Sequence, residues 1–325
     1  MNKKKKQIAG IDVSRRYLDA HWNNRHEQYE NCAAGFRKLL KDIPADAEIV
    51  FEATGNYHYR LATFLASKKR AVKVVNPLRF KRWSQAQNRK AKTDKADSRD
   101  LAKYASETAS IKAQELWQAP PPQLERAKLI TSQLHSLAKM QLAAHNRLHA
   151  TKLVVAETDD LCGVMGNLEN YCTEQTEKLT AELCRLVKDV YPKEFRLLRT
   201  IPGVGTKTAA VMLASVQDFS KFETHRRLSS FTGFGVRVND SGDTVRGKGR
   251  MVKTGCAYMR GVMYMPSMTA AKHCKPCKAL YERLVAKGKP NDVALVAVMH
   301  RMVKIAFGVI KSGEPFRGGA VANPA

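Results

Sequence analysis

Acidic residues are scarce in this chain: 30 aspartates and glutamates stand against 56 lysines and arginines, a formal net charge of +26 over 325 residues. The deficit excludes a cationic partner and points to a polyanion, for which nucleic acid is the usual case and an anionic membrane surface the other. Long hydrophobic runs are also missing. No apolar stretch approaches the roughly 20 residues of a membrane span, and no signal-peptide core follows Lys3-Lys4-Lys5-Lys6, so no membrane association is expected. That lysine run reads as a solvated tail or as a phosphate-grasping arm. Seven cysteines are too few, too scattered and odd in number for a disulfide framework, which argues for a reducing cytoplasm. Cys274-Lys275-Pro276-Cys277 beside His273 is a lone CxxC; zinc needs about four ligands and no second pair lies nearby, so free thiols are expected.

With acids so few, their placement carries information. Asp12 closes the apolar run Gln7-Ile8-Ala9-Gly10-Ile11, and Glu52 closes Glu48-Ile49-Val50-Phe51. Asp94 and Asp97 lie in Lys92-Thr93-Asp94-Lys95-Ala96-Asp97, and their i, i+3 spacing places both on one face of a helix. Carboxylates gathered at strand ends repel one another unless a divalent cation neutralises them. Oxygen-rich sets of this kind suit Mg²⁺ or Mn²⁺, and paired Mg²⁺ ions catalyse phosphodiester displacement. Four unrelated surface acids would be the plain alternative, but the basic surroundings make a phosphodiester the natural substrate.

The length favours two or more domains. Strands are expected at 7–12, 17–23 and 27–32, a helix from Ala33 to Leu40, a buried strand at 48–53, a helix from Tyr57 to Ser67 and a buried strand at 71–75, stopped by Asn76-Pro77. A further helix carries Asp94 and Asp97. This βββαβα order is that of the ribonuclease-H fold, which gathers carboxylates from its first strand, fourth strand and a late helix. Ala119-Pro120-Pro121-Pro122 marks a boundary. Leu134, Leu137 and Leu148, then Leu179, Leu183 and Val190, recur at helical spacing and predict two long antiparallel helices, either an internal bundle or a coiled-coil oligomerisation arm. The domains expected are thus 1–118, α/β and catalytic; 119–192, the linker and helical pair; and 193–325, mainly helical. In the last, Ile201-Pro202-Gly203-Val204-Gly205-Thr206-Lys207 has the form of a helix-hairpin-helix turn, with Gly203, Gly205 and Lys207 approaching a phosphate, or of a plain helical turn.

Two segments concentrate charge. Arg79-Phe80-Lys81-Arg82-Trp83, continuing through Arg89, Lys90 and Lys92, runs directly into Asp94. Cations interleaved with Phe80 and Trp83 suit a nucleic-acid backbone with base stacking; a solvated helix face is the alternative. Ser241-Gly242-Asp243-Thr244-Val245-Arg246-Gly247-Lys248-Gly249-Arg250, followed by Lys253, is glycine-rich and basic and reads as a phosphate-cradling loop ahead of a helix marked by Tyr258, Val262, Met265 and Met268. A hydroxyl among such cations can serve as a nucleophile, though spacing alone makes Ser241 an ordinary turn residue.

Together these motifs resemble the Piv/MooV-type DEDD transposases of the IS-one-ten insertion-sequence family, the bridge-RNA-guided recombinases. The resemblance spans nearly the whole chain. It is carried in order by Gly10-Ile11-Asp12, Glu52-Ala53-Thr54-Gly55-Asn56-Tyr57, Asn76-Pro77, Lys92-Thr93-Asp94-Lys95-Ala96-Asp97, Ile201-Pro202-Gly203-Val204-Gly205 and Ser241-Gly242-Asp243-Thr244-Val245-Arg246-Gly247. It implies a RuvC-like domain joined by a coiled coil to a transposase domain. It implies a homotetramer, a dimer of dimers, bound to a structured guide RNA whose loops pair with donor and target double-stranded DNA. The implied chemistry combines metal-bound Asp12, Glu52, Asp94 and Asp97 with Ser241 as a nucleophile that becomes linked to DNA, in the cytoplasm at the bacterial nucleoid. One departure stands out: Val252 occupies a position where the family often carries a hydroxyl. Two other classes fit the same residues, a nuclease or junction resolvase that uses metal-bound water, and a non-catalytic nucleic-acid-binding protein derived from a transposase.

Overall fold

A computed structural model describes residues 7–53, 55–87, 94–107, 116–237, 240–241, 245–246, 250–251 and 255–318. The chain divides into two compact units, Met1–Pro120 and Pro121–Ala325.

The first unit is built on a mixed five-stranded sheet of order β3-β2-β1-β4-β5. Its elements run β1 (Ile8–Val13), β2 (Tyr17–Trp22), β3 (Arg25–Glu30), α1 (Ala33–Asp42), β4 (Glu48–Glu52), α2 (Tyr59–Ser67), β5 (Val72–Val75), α3 (Pro77–Ala86) and α4 (Asp94–Glu107). β3 begins two residues earlier than the alternation suggests. The reason is the turn: Asn23 and Asn24 both take positive φ (46° and 62°), so two residues close the β2–β3 hairpin. β1 pairs antiparallel with β2 and parallel with β4, and β4 pairs parallel with β5. The two faces of the sheet are covered differently. Ala9, Ile11, Val13, Ile49 and Phe51 point into a core completed by Phe36 and Leu39 of α1 and Leu61 and Leu65 of α2. Val50 and Val75 point the other way, against Leu101 and Ala105 of α4 and Phe80 of α3. The topology is consistent with the ribonuclease-H-like order expected from the sequence.

The second unit is mostly helical. α5 (Pro122–Lys152) and α6 (Asp160–Val190) are 31 residues each. Pairings of Arg126 with Glu182, Gln141 with Thr173 and His145 with Glu169 run in opposite directions along the two helices, which makes them an antiparallel hairpin. At its base Ile130 and Leu134 of α5 and Leu183 and Val187 of α6 join one core with α7 (Pro192–Leu198), α8 (Thr206–Val216), α9 (His225–Thr232) and the C-terminal helices. Toward its tip Leu142, Leu153, Val154, Leu161 and Val164 are exposed.

Four two-residue strands follow: β6 (Val236–Arg237), β7 (Asp240–Ser241), β8 (Val245–Arg246) and β9 (Arg250–Met251). β6 pairs with β9 and β7 with β8, so the stretch expected to be a loop is a ladder of short antiparallel pairs. The helix expected around Tyr258 to Met268 is two, α10 (Ala257–Val262) and α11 (Tyr264–His273); Pro266 has no amide hydrogen to bond back to Val262, which favours the break at Met263. α12 (Lys275–Ala286) and α13 (Asn291–Ser312) complete the unit. Contrary to the expectation of no long apolar run, α13 is long and apolar enough to cross a membrane, but Ala294, Val298, Met302, Val303, Ala306 and Phe307 are buried and make it the core helix of this unit.

Candidate active site

Parallel pairing fixes where the first two acids emerge. Ile8 lies opposite Glu48 and Ile11 opposite Phe51, so Asp12 and Glu52 each stand one residue beyond the last of these pairs. Because side chains alternate, the even-numbered residues of both strands face away from α1 and α2 and toward α4. Asp12 and Glu52 are half-buried there. α4 can cross this face closely because β1 carries glycine beneath it: a Cβ at Gly10 would overlap the Ser98 carbonyl oxygen and the Ala102 amide nitrogen. Asp97 precedes Ser98 and is half-buried. The approach at Gly10 therefore brings Asp97 over the strand that carries Asp12 two residues further on. Asp94 is the first residue of α4, and its side chain lies outside the described residues.

Carboxylate oxygens are the donors that Mg²⁺ and Mn²⁺ prefer, so the chemistry of this set fits such an ion. Among the described residues, no group of three His, Cys, Asp or Glu stands close enough to hold a metal. The described carboxylates alone thus do not close a site, and Asp94 is the remaining member of the set.

Among the described residues, two buried aspartates stand outside the four-residue set. Asp19 is the direct cross-strand partner of Asp12 and is only 5% exposed. It accepts a hydrogen bond from Gln28 Nε2 (3.3 Å) and lies 3.2 Å from His26 Nε2. Alternation in Tyr17-Leu18-Asp19-Ala20-His21-Trp22 marks its side of β2 as polar, which reads as solvent-facing; it is the side toward α4. Asp100, 1% exposed, continues the i, i+3 series of Asp94 and Asp97, and that spacing is the signal available for it.

The basic segment before Asp94 divides in two. Arg79, Lys81 and Arg82 are exposed on α3. Phe80 is buried, and Trp83 stacks on it with ring centroids 6.0 Å apart, meets the Tyr104 ring edge-on and donates its indole N–H to Glu107 (2.9 Å). Both aromatics thus serve the packing of α3 on α4, where the sequence suggests base stacking. Arg89, Lys90 and Lys92 lie outside the described residues.

In the second unit Gly203 takes φ +91°, and a Cβ there would overlap the Pro266 carbonyl oxygen, so the turn between α7 and α8 needs glycine both for its conformation and for its approach to α11. Gly205 is the residue before α8, and Lys207 is exposed in its first turn. Ser241 sits on β7 opposite Val245 of β8, next to Arg246. Arg250 lies on β9. The side chains of Ser241, Arg246 and Arg250, and Lys248, Val252 and Lys253 altogether, fall outside the described residues. Cys274 and Cys277 are buried free thiols. A hydrogen bond from Cys277 and the nearby Arg301 guanidinium outweigh burial and bring the Cys274 thiol down to about 7.

Residues 9–153 match the DEDD transposase model of the IS110 type, and residues 195–282 match the Transposase IS116/IS110/IS902 family. The chain is 26% identical to the pilin gene-inverting protein of Moraxella bovis over 96% of its own length and 98% of that protein. It is 27% identical to the insertion element IS110 uncharacterized 43.6 kDa protein of Streptomyces coelicolor over 50% of this chain and 40% of that one, and 29% identical to the transposase for insertion sequence element IS1111A of Coxiella burnetii over 38% and 34%. Two matches in sequence order, covering both the carboxylate-bearing unit and the helical one, show that the chain belongs to the IS110 family of transposases, enzymes that act on DNA.

Proposed function

We propose that this protein is an RNA-guided DNA recombinase of a mobile element, which joins donor and target DNA through a serine–DNA intermediate. The observation that carries the reading is the shared face of Asp12, Glu52 and α4, with a serine on a short basic hairpin elsewhere in the same chain. Asp12, Glu52, Asp94 and Asp97 would hold Mg²⁺ or Mn²⁺, which supplies charge stabilisation at the phosphate under attack. Ser241 Oγ attacks phosphorus, the P–O bond to the departing strand breaks, and that strand leaves with a 3′ or 5′ hydroxyl while the other end stays esterified to the serine. A hydroxyl from the partner DNA then displaces Ser241, so no high-energy cofactor is needed. Arg246, Lys248, Arg250 and Lys253 hold the phosphate in place.

The remaining parts follow the same reading. A structured guide RNA selects donor and target by base pairing, and the +26 net charge suits a protein that holds several polyanions. The α5–α6 hairpin acts as a coiled-coil arm in a dimer of dimers. The α7–α8 turn works as a helix-hairpin-helix element on backbone phosphates, and the RuvC-like unit works at the nucleoid in the cytoplasm. The gene inversion named for the Moraxella bovis relative is a recombination outcome of this kind.

The test is a recombination assay with co-purified RNA and both DNAs, together with trapping of a protein–DNA adduct. Ser241→Ala is expected to abolish both the adduct and strand exchange while leaving RNA and DNA binding intact; Asp12→Ala abolishes cleavage. Robust exchange by Ser241→Ala would overturn the serine assignment. Cleavage that survives it but is lost in Asp12→Ala would identify a water-using nuclease.

A further inference from the structure

The second unit holds a cleft of about 820 Å³ that neither the carboxylates nor Ser241 accounts for. α9, α12 and α13 enclose it, and Gly235 and Met251, at the root of the Ser241 hairpin, form part of one wall. Its cations come from all three helices: Arg226 from α9, Arg283 from α12, and Arg301 and Lys304 from α13, with His225 and His300 among them. Among the described residues no carboxylate lines it, and none of those four permanent cations forms an ion pair with a described carboxylate. Two of its groups want an acceptor. Ser229 is fully buried and its hydroxyl has no hydrogen-bond partner among the described residues; Nε of Arg301 is likewise buried and unpartnered among them. Buried donors without acceptors are costly and uncommon in native proteins, and here both stand in a space lined by like charges. Apart from Ser230 the rest of the lining is apolar, with Phe234, Val293 and Val296 among it.

A concave site with cations on three sides, apolar lining and two unfilled donors matches a sugar–phosphate chain better than a free ion. Guanidinium forks grip phosphate oxygens, and apolar side chains accept sugar or base. We propose that this cleft is a nucleic-acid strand site: it takes the phosphodiester backbone of one strand, Arg301 and Ser229 holding one phosphate and Arg226, Arg283 and Lys304 its neighbours. The assignment rests on the chain acting on nucleic acid, and not on Ser241 being a nucleophile. RNA and DNA present the same phosphodiester, so the experiment separates them.

Full-length protein is titrated with fluorescein-labelled single-stranded RNA, single-stranded DNA and duplex DNA across a salt series. The triple variant Arg226→Gln, Arg283→Gln, Lys304→Gln removes cations at the cleft rim. Lys272→Gln, Lys278→Gln, Lys287→Gln removes the same charge from exposed positions of the same unit outside the cleft. The cleft variant is expected to bind at least one probe about tenfold more weakly, with the log–log salt slope reduced by about 0.7–0.9 for each phosphate no longer neutralised, and the control far less. A loss confined to RNA assigns the cleft to the guide, and a loss confined to DNA assigns it to a substrate strand. Ser229→Ala, which removes only a hydroxyl, is expected to weaken the same probe with a melting temperature no lower than wild type. Equal effects of the cleft and control triples on every probe would overturn the proposal. The readout is binding, so it stands whether or not Ser241→Ala blocks strand exchange.

Discussion

Gly10 of β1 lies so close beneath Ser98 of α4 that no side chain fits between strand and helix. Asp97 precedes Ser98 on that helix, and Asp12 follows Gly10 by two residues on that strand. Gly10→Ala is therefore expected to lift or tilt α4, costing about 1–3 kcal/mol by overpacking and lowering strand cleavage by on the order of 100-fold, since small misplacements of a catalytic group are that expensive. Thermal melts and cleavage rates on the same preparation check it. Wild-type cleavage by a destabilised Gly10→Ala protein would show that α4 does not position the site.

Asp19 lies directly across from Asp12 on the neighbouring strand. Asp19→Ala leaves Gln28 and His26 facing a vacant acceptor and is expected to cost about 1–3 kcal/mol. Asp19→Asn keeps the shape but removes a negative charge beside the carboxylates. It is expected to raise the Mg²⁺ concentration giving half-maximal cleavage while leaving the rate at saturating Mg²⁺ near wild type. An unchanged Mg²⁺ requirement would make Asp19 purely a packing and hydrogen-bonding residue.

The hairpin separates two roles by position. Leu134 is fully buried in the core at its base, so Leu134→Asp is expected to unfold the second unit, with a loss on the order of 3–5 kcal/mol. Leu161 and Val164 are 61% and 57% exposed near its tip. Leu161→Glu with Val164→Glu is expected to leave the fold intact and weaken self-association, seen as a lower mass in solution. An unchanged mass would leave the arm without an assembly role.

Mild acid should loosen the second unit. Burial, reinforced by Arg301 and Lys304, holds His300 below its ordinary 6.5; burial with Lys304, His300 and Arg226 does the same to His225, and burial with Lys139 and Arg260 to His135. A histidine that resists protonation when folded contributes stability that is whole above its unfolded pKa and lost as the pH falls through its lower folded value. The melting temperature is expected to fall as the pH drops below the ordinary histidine value of 6.5, and His300→Gln to flatten part of that slope. A flat profile in the wild type would rule this out.

The order of strands and helices in the first unit is legible because β1, β4 and β5 are short, apolar and punctuated, while β2 alternates. Asp12 and Glu52 stand out because each ends such a run. What alternation cannot say is which polar face is covered. Asp19 reads as solvent-exposed in β2 because nothing local announces that α4 crosses there; only the pairing of β2 with β1 and the glycine at position 10 bring it in. The same gap explains Trp83, whose cationic neighbours suggest a nucleic-acid contact while its ring belongs to Phe80 and Tyr104. Around Ser241 glycines and cations mask strands too short to leave a period. The strand cleft is illegible for another reason: its cations come from helices up to 78 positions apart, Arg226 to Lys304, and meet only in the fold.

The parallel register of β1 and β4 makes the site a matter of counting. Asp12 and Glu52 each stand four positions beyond the paired residues Ile8 and Glu48, and both counts are even. Loss or gain of one codon within either strand would turn its acid onto the opposite face, among Ile11, Phe51 and Leu61, where a carboxylate has neither cation nor water. Within these two strands, then, length matters more than spelling: Ala9 or Ile49 can be exchanged for another apolar residue of similar size, but a one-residue deletion in β1 or β4 would take Asp12 or Glu52 off the face that α4 covers.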